Sequence, residues 1–279
     1  IHTATIDFDI DAQYSVVIGY EDLAGNVAPK NIDEEFGVDK DAPEPLKVEY
    51  LSPSVLETLL EGISFGFYKA PLKVKISAID KTSGVDYFNY YYVVDKNVST
   101  DNIGKTDEKP DLKVADADRT VFERKNEDGS TEYFEKSTAV FTIEPQFRGK
   151  VSFTATDRAG NVSKKFKDES TTVVVDNKSP IIKVEYDKHT DNQHYTERTA
   201  TITVKEANFW ADDVKVTIKR RLDTESKFSK VDYIPEFRAV ENEADTYKAV
   251  IRYDELNANA EYIFDIDYTD KSGNTAVFV

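Results

Sequence analysis

The stretch TDRAGN at residues 156–161 occurs in near copy twice more, as EDLAGN at 21–26 and TDKSGN at 269–274. Each copy runs Asp, two variable residues, Gly, Asn: Asp22, Gly25 and Asn26; Asp157, Gly160 and Asn161; Asp270, Gly273 and Asn274. A tight turn explains these residue types. Glycine reaches positive φ without a Cβ clash, asparagine tolerates the turn, and the aspartate accepts hydrogen bonds from the turn's own N–H groups.

Around the turns the copies extend into strands. YSVVIGYED (14–22) and YIFDIDYTD (262–270) share an opening Tyr, a second Tyr six positions on and a closing Asp, and GKVSFTATD (149–157) keeps the alternation without the opening Tyr. Behind the first two turns come VDKDAPEPLKVEY (38–50) and VDNKSPIIKVEY (175–186). The chain therefore reads as tandem units with Pro43 and Pro180 near their boundaries. Residues 1–40 hold the C-terminal part of one unit, expected to be completed by upstream strands. Residues 41–176 form an enlarged unit with insertions at 52–69 and 96–136, and 177–279 a compact one.

Period-two alternation dominates. In the last unit it runs through 199–207, 214–220, 246–254 and 261–269, and in the middle one through 71–80, 85–95, 137–145 and 150–157. This is the period of strands with one face buried. The predicted fold is all-β: tandem antiparallel β-sandwiches, the middle one carrying insertions. Within the first insertion, Val55, Leu56, Leu59 and Leu60 follow Ser52 and Ser54 at helical spacing and predict a short helix. The second reads as a polar excursion with a small hairpin at Asn126–Gly129.

Composition narrows the function. The net charge of −17 disfavours nucleic acid and anionic membrane surfaces as partners. With no cysteine there are neither disulfides nor thiolate chemistry. No phosphate cradle, His-Glu-x-x-His pair or Gly-x-Ser-x-Gly elbow occurs, so an enzyme is not expected. His189 and His194, five apart, read as a solvent-facing loop and not as zinc ligands. Lys73 and Lys75 fall in the polar phase against Leu72, Val74 and Ile76, which argues against a buried lysine crosslink.

Three groups remain as candidates. A carboxylate in the recurring turn could meet others at one pole of a unit, and Asp22, Asp39, Asp41, Asp80, Asp157, Asp176 and Glu206 are the candidate ligands for calcium, which takes about six to eight oxygens. Tyr87, Phe88, Tyr90, Tyr91 and Tyr92 form a candidate binding patch, because alternate residues of a strand face opposite sides. Tyr14 and Tyr262 stand where a tyrosine corner would turn the hydroxyl back onto the preceding crossover, and Trp210 reads as a plug at the core's edge.

The three Asp-x-x-Gly-Asn copies, the Val-Asp-x-x-x-Pro linkers and Thr201-Ile-Thr-Val-Lys-Glu-Ala-Asn-Phe209 together resemble the tandem bacterial Ig-like repeats of large cell-surface proteins and adhesins. The resemblance covers nearly the whole chain outside the two insertions. It implies an extracellular, multi-domain parent at the surface of a Gram-positive bacterium, cell-wall anchored or secreted. In such a parent these modules act as stalk or spacer, and some relatives bind a host glycan or protein. The alternative reading is an accessory module, carbohydrate-binding or spacer, of a large secreted enzyme.

Overall fold

The computed structural model describes residues 3–27, 32–51, 65–94, 111–168, 172–187, 198–252 and 260–279. The predicted helix at 52–60, His2, His189 and His194 lie outside these residues. The described residues are almost entirely β, in five sheets. None of their helices is long and apolar enough to cross a membrane.

Strands β1 (Ala12–Ile18) and β2 (Ile32–Val38) pair antiparallel as the first sheet. The Tyr14 hydroxyl donates to the Ile10 carbonyl at 2.8 Å, which is the corner expected of it, and its ring stacks on Phe36. Tyr262 packs half-buried against the last core.

Two sheets follow around one core. The first is β3 (Glu44–Leu51), β5 (Leu72–Asp80), β9 (Thr131–Ile143) and β8 (Arg119–Lys125), in the spatial order β3-β5-β9-β8. The second has β4 (Phe65–Tyr68), β12 (Thr172–Val175), β10 (Phe147–Asp157), β6 (Val85–Val94) and β7 (Leu112–Lys113) side by side, with β11 (Phe166–Lys167) on β10. Alternation decides which side chains meet: Leu72, Val74 and Ile76 of β5 and Phe141 and Ile143 of β9 close on Phe88 of β6 and Val151, Phe153 and Ala155 of β10. Lys73 is exposed and Lys75 half-buried on the opposite face.

The last two sheets enclose a separate core of Ile182, Ala200, Ile202, Val204, Ile218, Ile251 and Tyr268. One sheet orders β17 (Arg238–Ala239), β18 (Thr246–Arg252), β14 (Thr199–Lys205), β13 (Ile181–Tyr186) and β20 (Val277–Phe278). The other orders β16 (Ser229–Val231), β15 (Val214–Arg221) and β19 (Glu261–Tyr268).

Two features correct the sequence expectation. The sheets are not purely antiparallel: β12 pairs β4, and β13 pairs β20, in parallel. The second pairing arises because the chain leaves the 269–275 turn, bonds once to its own strand (Ala276 N–H to Tyr268 O, 2.9 Å), and crosses to Pro180 and Ile182 on the facing sheet. The insertions also contribute strands beyond the one small predicted hairpin, and that hairpin is present. Residues 65–68 form β4, and the hairpin at Asn126–Gly129, turning on Gly129 at φ 84°, joins β8 to β9 and adds a strand to the first central sheet.

Candidate cation nests at the two linkers

In each copy of the turn the aspartate binds both ends of its asparagine. Asn161 N–H donates to Asp157 Oδ1 at 2.8 Å and Asn161 Nδ2 to Oδ2 at 2.9 Å; the corresponding distances at Asn274 and Asp270 are 2.8 and 2.9 Å, and at Asn26 and Asp22 both are 2.8 Å. The glycines sit at φ 82°, 92° and 84°. A Cβ at Gly160 or Gly273 would meet nothing within 4 Å, so substitution there carries only the conformational penalty. Gly273→Ala is expected to cost about 1–2 kcal/mol, measured as a shift in the urea unfolding midpoint at unchanged slope.

The asparagine also reaches outside its turn. Asn161 Nδ2 donates to the Asp39 carbonyl, and Asn274 Nδ2 to the Asp176 carbonyl, each at 3.0 Å. Asp39 and Asp176 are the linker aspartates, immediately after β2 and β12, so each turn grips the chain that enters its own two-sheet assembly. Pro43 and Pro180, four residues further on, are both buried.

These contacts draw three carboxylates together at each linker. Asp39, Asp80 and Asp157 form the first nest, and Asp176, Glu206 and Asp270 the second; within each, one oxygen from every residue lies within 4.8 Å of the others. The sequence identified five of the six as candidate ligands and assigned Asp270 to the turn alone. Its alignment with Asp157 is the signal that places it. Asp22 and Asp41 belong to neither nest. Asp41 is exposed, its N–H bonded back to Asp39 Oδ1 at 3.2 Å, and the Asp22 carboxylate is committed to its own turn, whose bonds to Asn26 hold it below its ordinary pKa.

Burial is severe in the second nest, where Asp176, Glu206 and Asp270 are 2%, 5% and 5% exposed. Burial pushes the Glu206 carboxyl up to about 8, against one lowering bond from Asn208 N–H, with Asp176, Asp270 and Asp245 adding to the rise. Burial likewise raises Asp270, and raises Asp80 in the first nest. None of the ion pairs among the described residues includes a member of either nest. Crowded buried carboxylates without a basic partner are costly unless protonated or bound to a cation.

The second linker is gripped from both sides. Asp176 Oδ1 accepts from Gln146 Nε2, in the loop before β10, at 3.0 Å, and Oδ2 accepts from Asn208 Nδ2, beyond β14, at 2.7 Å. Lys69 Nζ donates to the Gly273 carbonyl at 3.3 Å. Trp210 is 38% exposed and meets Phe67 of β4 edge-on at 6.5 Å, so the expected core-edge plug fills the space between two assemblies.

The aromatic stretch divides as strand phase dictates, and the five-residue patch does not form. Phe88, Tyr90 and Tyr92 turn inward: Phe88 meets Phe153 at 5.8 Å, Tyr90 stacks on Phe141 at 3.8 Å, and Tyr92 lies 4.8 Å from Phe147. Tyr87 and Tyr91 turn outward, each half-buried, with Lys113 Nζ 4.6 Å from one ring centre and Lys165 Nζ 3.8 Å from the other. Asn89 between them is held by Asp111 at 2.8 Å.

Searches against family models and curated proteins returned no match for this chain.

Proposed function

We propose that this chain is a non-catalytic structural segment of a bacterial cell-surface protein, a run of Ig-like modules acting as stalk or spacer. The observation that carries this reading is the repeated linker grip, in which Asn161 and Asn274 each tie the carbonyl of a linker aspartate to the turn of the following assembly. A spacer needs fixed angles between its units, and a side chain that bonds both its own turn and the entering chain supplies one. Calcium is the ion these oxygen-lined linkers suit. If a host glycan or protein is bound through the aromatic stretch, Tyr87 and Tyr91, its outward members, are the residues that would meet it.

The absence of native cysteine allows a clean test. Spin labels at Glu127→Cys and Lys227→Cys, both exposed positions, report the distance between the two assemblies. A single narrow distance distribution is expected, broadening in Asn274→Ala. A broad distribution in the otherwise unaltered chain, with and without calcium, would overturn the spacer reading.

A further inference from the structure

We propose that the second nest is a divalent-cation site of calcium chemistry, made by the carboxylates of Asp176, Glu206 and Asp270 and the side-chain carbonyls of Asn208 and Asn274. Occupation of this site locks the assemblies on either side of Asp176. The inference deepens the spacer reading and rests on it only for the consequence of binding.

Two independent observations converge. The first is the nest itself, three buried carboxylates with no basic partner among the described residues. The second concerns the amides beside it. Asn208 and Asn274 are 6% and 1% exposed, and the Oδ1 of each is buried without a hydrogen-bond partner. Both amide heads are anchored on nest members, Asn208 Nδ2 on Asp176 Oδ2 at 2.7 Å and Asn274 Nδ2 on Asp270 Oδ2 at 2.9 Å. The orphaned carbonyls therefore belong to groups seated against the carboxylates. Buried polar atoms are seldom left unmatched, and two acceptors beside three anions call for a positive charge, not for a donor already in place.

The donor set selects the ion. All five groups offer hard oxygen, with neither sulfur nor imidazole, which disfavours zinc. Asp176 through Oδ2 alone, Glu206 and Asp270 each mono- or bidentate, and two carbonyls supply about five to seven oxygens, overlapping the roughly six to eight that calcium takes; magnesium prefers a smaller octahedron and keeps several waters. A carboxylate oxygen accepting one N–H retains a second lone pair; Asp176 Oδ1, which accepts from both Gln146 Nε2 and the Lys178 N–H at 3.0 Å, does not, so Asp176 serves through Oδ2.

The first nest differs. Asp39 is half-exposed, and Asn161, the counterpart of Asn274, is itself half-buried and is not among the residues with a buried, unpartnered side-chain oxygen. The second site should be the tighter.

Trp210, the chain's single tryptophan, stands two residues beyond Asn208 and makes the second nest observable on its own. The full chain, stripped with chelator, is titrated with terbium while tryptophan is excited. Sensitised terbium emission is expected, reversed by excess calcium. Asn208→Ala and Glu206→Gln, checked for native circular dichroism, should each weaken binding at least about tenfold, whereas Asp39→Asn leaves the signal unchanged. Trp210→Phe should abolish the emission while retaining the heat of calcium binding. A folded chain giving neither sensitised emission nor calcium heat, or binding untouched by both Asn208→Ala and Glu206→Gln, would overturn the site. In the spin-label experiment, a narrow distribution without calcium binding leaves the spacer reading standing and removes only this proposal.

Discussion

Truncating Phe153 to alanine is expected to destabilise the central assembly by about 3–5 kcal/mol. The ring is fully buried, 5.8 Å from Phe88 and 5.2 Å from Phe166, where the two central sheets face each other. Its neighbours lie on hydrogen-bonded strands and cannot collapse into the vacated space, so the loss includes a cavity as well as the transfer energy. The β13–β20 core shares no residue with this one. Scanning calorimetry should therefore show two transitions, with the C-terminal one displaced by less than about 1 kcal/mol. A single transition moving as a whole would mean that the contacts around Asp176 fuse the two assemblies into one cooperative unit.

How much of this was legible in the sequence follows from the range of each interaction. The recurring turn is local: Asp, Gly and Asn within five residues determine φ and the hydrogen bonds, so composition and spacing suffice to read it. The nests were nearly legible because repetition aligns Asp39 with Asp176 and Asp157 with Asp270, while Asp80 ends β5 and Glu206 directly follows β14, the strands that pair with β3 and β13. What a single sequence does not display is the unmatched atom. That Asn208 binds through Nδ2 and leaves Oδ1 orphaned depends on Asp176, thirty-two residues away. The same limit applied to the aromatic stretch. Alternation separates Tyr87 and Tyr91 from Phe88, Tyr90 and Tyr92, but the cover over the outward pair comes from Lys113 and Lys165 on other segments. The parallel pairings were hidden for a different reason: strand phase determines which face is buried and says nothing about which edge a short strand will join.

In chelator, the C-terminal assembly is expected to lose stability as the pH rises from about 5 to about 8, by about 3–5 kcal/mol from Glu206 alone. The direction follows from the proton count. Burial, with Asp176, Asp270 and Asp245 close by, lifts the folded-state pKa of Glu206 to about 8 from the ordinary 4.5. Between those values the folded chain holds a proton that the unfolded chain has released. The contribution is complete below the unfolded value and disappears as the pH passes through the folded one. Asp270, also raised by burial, acts in the same sense, and none of the ion pairs among the described residues brings a basic side chain onto the nest to oppose them. Glu206→Gln fixes the neutral form and should flatten the profile, leaving this variant the more stable protein at pH 8 in chelator. Calcium inverts the comparison, because the ion favours the carboxylate that the proton otherwise masks. At pH 8 with millimolar calcium the unaltered chain should melt above Glu206→Gln, and thermal melts at two pH values with and without the ion measure the crossing directly. Parallel profiles for the two proteins under all four conditions would show that Glu206 neither titrates in this range nor meets a cation.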